Sequence, residues 1–141
     1  MKTVSLPSLA LVSLAMIATA SLASAQTVHV SASPTTITNQ GDESTITLTV
    51  SPPSFKNLKI NFVMTGTAGL GSDYALIGDF SKAAQVLIPA GQSTATVTLH
   101  AFGDDDAFPK ETAVFNLLGG SGYRVGSPSQ VQITIRNAPL Y

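Results

Sequence analysis

The sequence predicts an all-β fold, built as a sandwich of two sheets. Three observations lead there. Apolar and polar residues alternate with period two over several long stretches, leaving one face apolar and the other rich in threonine. Clusters of Gly, Pro, Ser and Asp separate those stretches at intervals typical of a sandwich. No convincing helix is found beyond residue 25.

Taken in order, the first strand is predicted at Val28 to Ala32. Thr45 to Val50 alternates strictly and sends Ile46, Leu48 and Val50 to one face. Leu58 to Met64 is longer and more apolar. Ala84 to Ile88 stops at Pro89, whose ring removes a backbone donor. Thr94 to Leu99 alternates again. Thr112 to Leu118 stops at Gly119-Gly120, and Gln130 to Arg136 closes the series. Threonine is β-branched, which suits an exposed sheet face and disfavours helix. These are about seven strands of a Greek-key sandwich. A short helical turn is expected at Ser72 to Ala75 and an irregular connection from Ile77 to Lys82. The predicted core is Val28, Val30, Ile46, Leu48, Val50, Ile60, Phe62, Val97, Leu99, Phe115, Leu117, Val131, Ile133 and Ile135. Each such side chain contributes about 1.5–3 kcal/mol when buried.

The first segment reads differently. Lys2 precedes an apolar run from Val4 to Leu22, and Ala23-Ser24-Ala25 supplies small residues where a signal peptidase reads. Residues 1–25 are therefore expected to be a signal peptide, and residues 26–141 one sandwich domain. An N-terminal anchor is the competing reading, opposed by the small residues and the cleavage pattern. Export to the periplasm, cell surface or extracellular space follows. Cleavage removes 25 of 141 residues, leaving 116, enough for one core without staples. The chain has no cysteine, which excludes disulfides, thiol catalysis and cysteine metal sites. Six basic and eight acidic side chains remain after Lys2 is lost, a formal charge of −2 that steers weakly toward any partner. The basic residues are scattered without interleaved aromatics, so no nucleic-acid footprint is seen. No second apolar run of about 20 residues predicts a membrane span.

Asp104-Asp105-Asp106 carries the strongest chemical signal. Three adjacent carboxylates repel one another and are tolerated either in solvent or around a cation, and calcium accepts six to eight oxygens in flexible geometry. Both readings stand on spacing alone. No EF-hand pattern occurs. Asp73, in Gly71-Ser72-Asp73-Tyr74, is either a metal ligand or a turn-former that satisfies backbone groups. Gly66, Gly69 and Gly71 are out of order for a dinucleotide fingerprint. Gly119 to Gly122 reads as a flexible hairpin. His29 and His100 alternate with inward residues and are expected to face solvent. No G-x-S-x-G elbow is present, and the absence of Trp leaves little for a sugar-stacking platform beside a carboxylate pair.

Gly66-Thr67-Ala68-Gly69-Leu70-Gly71-Ser72-Asp73-Tyr74, then Pro89-Ala90-Gly91, then Asp105-Asp106 and Glu111, taken together resemble the Calx-beta domain, an extracellular immunoglobulin-like β-sandwich. The resemblance runs from about Val30 to Asn137. It implies calcium ligands near the first turn, at the G-x-D-Y aspartate, in the acidic turn, at the glutamates after it, and past the last strand. Carried over, this chain keeps Asp73, Asp105, Asp106 and Glu111, with Asp104 adding a neighbouring charge. The first-turn glutamate is replaced around Asn39-Gln40, with Asp42 and Glu43 close by. One later glutamate falls on Phe108, and the C-terminal acids fall on Arg136-Asn137. The resemblance thus implies one weak calcium site rather than a full ion cluster.

The reading that results is a non-enzymatic module for adhesion or for binding matrix or cell-surface proteins, with calcium as a stabiliser. Self-assembly is the alternative, with the terminal strands Thr27 to Ala32 and Gln130 to Ile135 adding to a neighbour's sheet edge. A small hydrolase using Asp73 or Glu111 is the third, without a visible base-orienter pair.

Overall fold

Alternation decides the layers. A computed structural model describes residues 25–103 and 109–138 and contains eleven strands and no helix among them. They are β1 (Gln26–Ser33), β2 (Thr36–Thr38), β3 (Glu43–Ser51), β4 (Leu58–Thr65), β5 (Tyr74–Gly78), β6 (Phe80–Lys82), β7 (Gln85–Ile88), β8 (Thr94–Ala101), β9 (Lys110–Leu117), β10 (Tyr123–Val125) and β11 (Gln130–Arg136). One sheet runs β10-β1-β3-β8-β5 and the other β2-β11-β9-β4-β7-β6. The first part of the chain serves both sheets: β1 pairs antiparallel with β3 and parallel with β10, whereas β2 pairs parallel with β11. The expected signal segment, apart from Ala25, and the acidic turn lie outside the described residues.

The core forms where the period predicts. Ile46, Leu48 and Val50 of β3 face Val97 and Leu99 of β8 and Val28 and Val30 of β1, all at 1% exposure or less. From the opposite sheet come Ile60, Phe62, Phe115, Leu117, Ile133 and Ile135. Phe62 stacks on Phe115, with ring centroids 4.5 Å apart and planes 16° apart, which adds a directional contact to the area buried. Ser44 also falls on the inward side of β3. Its hydroxyl donates to the Pro34 carbonyl at 2.7 Å, which removes the cost of burying a polar group. Of the fourteen expected core residues, Val131 alone is only partly buried, packed against the core from the rim.

Four expectations are corrected. The strands number eleven among the described residues, because β2, β5, β6 and β10 are short or irregular and carry no long alternation. Ser72 to Ala75 is a turn that enters β5 at Tyr74, not a helical turn, and Ile77 to Lys82 belongs largely to β5 and β6. The terminal strands are not edges. β1 lies between β10 and β3, and β11 between β2 and β9, so short strands cover both flanks. Among the described residues the outer strands are instead β10, β5, β2 and β6.

Candidate functional site

Residues 66–74 link the two sheets at one end of the sandwich. Gly66 has φ +109°, and a Cβ there would lie 2.3 Å from the Thr112 carbonyl oxygen. Only glycine allows that approach. The next residues then lock onto β9: Ala68 N–H donates to the Thr112 carbonyl at 2.8 Å, and Thr112 N–H donates to the Thr67 hydroxyl at 2.9 Å. Asp73 closes the segment on itself. Its N–H donates to the Gly69 carbonyl, and its Oδ2 accepts the Gly69 N–H. The turn-forming role of Asp73 is therefore observed directly. The far side is fixed to β8, where Phe102 N–H donates to the Asp73 carbonyl at 2.8 Å. Tyr74 follows, 1% exposed. Burial, and secondarily the charge of Asp73, pushes its phenol up to about 12.

Glu111 stands across from this turn on β9. It shares the inward register of Ala113, Phe115 and Leu117, one step short of the core's end, and pairs with Ile135 of β11. The strand period thus places a carboxylate on the core face of the sandwich rim. Glu111 and Asp73 are each 9% exposed. They flank the two ends of the acidic connection: Asp73 is bonded to Phe102, and Glu111 follows Pro109-Lys110. Asp104, Asp105 and Asp106 themselves lie outside the described residues, as does Phe108.

The first turn and the C-terminal end are joined by amides. Asn39, 6% exposed, donates its backbone N–H to the Arg136 carbonyl at 2.9 Å. Its Nδ2 donates to Asn137 Oδ1 at 3.2 Å, and its Oδ1 accepts the Ala138 N–H at 3.0 Å. Asn137 N–H in turn donates to the Pro109 carbonyl at 3.2 Å. The acids nearest the first turn are engaged elsewhere. Asp42 Oδ2 accepts the Thr38 N–H and hydroxyl at 2.9 and 2.8 Å, bonds that lower its carboxyl below the usual value. Glu43 meets His100 Nδ1 at 3.1 Å, so His100 is half-covered rather than free in solvent. Among the described residues no three His, Cys, Asp or Glu side chains come together as a metal-holding group. The Asn39–Asn137 contact was not legible in the sequence, since its partners are nearly a chain length apart. The one hint was that both positions hold amides where the resembled family carries acids.

An apolar cleft of about 460 Å³ opens between the sheets on the β5 side, lined by Phe62, Met64, Leu70, Tyr74, Leu76 and Phe80 among others. Leu70 in its lining is 58% exposed, and Ile77, the next β5 residue after Leu76, is 59% exposed. Among the described strands β5 pairs with β8 alone. An isolated parallel bridge joins its first residue, Tyr74, to Leu70, and Gly71 N–H donates to the Tyr74 carbonyl at 2.8 Å, so the outer backbone edge is open only past Tyr74.

No family model matches the chain, and no curated protein matches it. Solved structures do. The apo-form Calx CBD1 domain superposes with TM-score 0.63 at 15% identity, over 81% of this chain and 98% of that one. CBD12 from CALX1.2 gives 0.60 at 17%, over 77% of this chain and 44% of that one. The calcium binding domain CBD12 of CALX1.1 gives 0.59 at 15%, over 79% and 44%. This chain therefore spans under half the length of those two CBD12 chains. At such identities the likeness shows the fold, and the fold is that of a Calx CBD sandwich.

Proposed function

We propose that the protein is an exported, non-enzymatic binding module of adhesive or matrix type, whose one calcium site lies at the sandwich end built by Asp73 and Glu111. The observation that carries this is the placing of two nearly buried carboxylates at the roots of the Asp104-Asp105-Asp106 connection. Asp73, Glu111 and oxygens from the acidic turn would hold the ion. Bound there, calcium neutralises neighbouring carboxylates and stiffens the turn. The first-turn and C-terminal positions do not contribute, because Asn39 and Asn137 bond to one another.

Thermal unfolding of residues 26–141 tests this reading. Millimolar calcium is expected to raise Tm over chelator, since a ligand that binds only the folded state stabilises it. Glu111→Gln is expected to abolish the rise. An identical Tm in calcium and chelator overturns the site.

A second reading, self-assembly or capture of another cell-surface protein by strand addition, is favoured by the open β5 edge beside the apolar cleft. The edge that serves it is β5, not β1 or β11.

A further inference from the structure

On the outer face of the second sheet, away from the acidic end, lies a polar cleft of about 340 Å³ lined by Asn57, Lys59, Asn61, Gln85 and Ser121. Its hydrogen-bond wiring fixes the direction of every amide. Ala90 N–H can only donate, and it donates to Asn57 at 2.9 Å, so that atom is Oδ1 and the Asn57 amide nitrogen turns outward. The Gly119 carbonyl can only accept, so the Asn61 atom 3.2 Å away is Nδ2. Asn61 Oδ1 then accepts Gln85 Nε2 at 2.9 Å, and Gln85 Oε1 accepts the Ser81 hydroxyl at 2.6 Å. Every amide oxygen in the cleft is thus satisfied inside the protein. What remains for a ligand are N–H groups of Asn57, Asn61 and Gln85, the Ser121 hydroxyl and the Lys59 ammonium. No carboxylate lines the cleft.

Gly120 sets the wall. A Cβ there would lie 2.8 Å from the Tyr123 hydroxyl and 2.9 Å from Asn61 Nδ2, so the loop carrying Ser121 sits this close only with glycine. Asn61 is anchored beneath, its N–H donating to the Tyr123 hydroxyl at 3.0 Å.

We infer that this donor-rich cleft is a binding site for a small oxyanion, a carboxylate or a phosphate or sulfate group, held by Lys59, Asn57 and Ser121 over the Asn61–Gln85 amide pair. A cation among oriented N–H groups, with no carboxylate in the lining and each amide oxygen already accepting an internal bond, is complementary to an acceptor-only ligand. The inference stands apart from the calcium reading, because it uses neither Asp73 nor Glu111.

The test follows the side-chain amide signals of Asn57, Asn61 and Gln85 by NMR during titration with sodium acetate, sodium phosphate and sodium sulfate, with sodium chloride as the ionic-strength control. Saturable shifts of these signals with at least one oxyanion, absent with chloride, are expected. Which anion saturates first assigns the site to carboxylate, phosphate or sulfate. Lys59→Gln is expected to weaken binding about tenfold, as loss of one charge-assisted bond does, and Lys59→Arg to restore most of it. Gly120→Ala, with a dispersed amide spectrum as proof of folding, should weaken binding too. Linear shifts that chloride reproduces, or affinity unchanged in Lys59→Gln, overturn the proposal.

Discussion

Single residues at the rim decide how much of it a cation can organise. Asn39 does with an amide what two facing acids cannot do unaided: it donates to Asn137 and accepts from Ala138 at once. Asn39→Ala removes both side-chain bonds and is expected to cost about 1–3 kcal/mol in chemical denaturation, by the same amount in calcium and in chelator. Tyr74 offers a pH probe at the same end. Its folded pKa is raised to about 12 from 10.0, so the unfolded chain loses the proton first. The resulting stability is fully present below pH 10 and is lost as pH climbs from 10 toward 12. Unfolding followed through that window should show a loss of stability that Tyr74→Phe reduces without abolishing, because burial also raises the Tyr123 phenol. Asp73 and Glu111 stood out in the sequence because the motifs of the resemblance carry both. The Asn39 bridge was not, because hydrogen bonds between distant turns leave no local pattern.

Elements with long alternation were readable; elements held by one neighbour were not. β3, β8 and β11 each show several strict periods and fall where the sequence puts them. β5 reads Tyr-Ala-Leu-Ile-Gly, with no polar alternation, because only its first residue is fully buried and its end faces solvent. β2 and β10 are three residues each, too short for a period, and exist because β11 and β1 offer them a parallel edge. Sequence reasoning therefore mistook the interior strands for the sheet margins. Short outer strands are one way of blunting an edge against aggregation. β5 is an outer strand that lines the apolar cleft through Tyr74 and Leu76 and leaves Ile77 exposed. Ile77→Lys should leave stability within about 0.5 kcal/mol, as expected of a surface change. If β5 is the docking edge, the same change abolishes any concentration-dependent association seen by size-exclusion chromatography. Association that survives it points to another edge.

Across the whole molecule, the two ends carry different chemistry. One end gathers Asp73, Glu111 and the roots of an acidic turn. The outer face of the second sheet gathers amides and Lys59. The sequence showed the first, since acids cluster along the chain. It hid the second, since Asn57, Gln85 and Ser121 come from three separate segments that meet only when β4 and β7 pair and the loop before β10 folds over them. The two parallel pairings have an effect on assembly as well as on architecture. Gln26 waits for Tyr123, and Thr36 for Thr134, before either can find its sheet neighbour. Closing contacts across so much chain is slow. A growing polypeptide that has not yet reached β10 and β11 has bare flanks on both sheets and no finished sandwich. Such a chain cannot complete either sheet until its last strands are made.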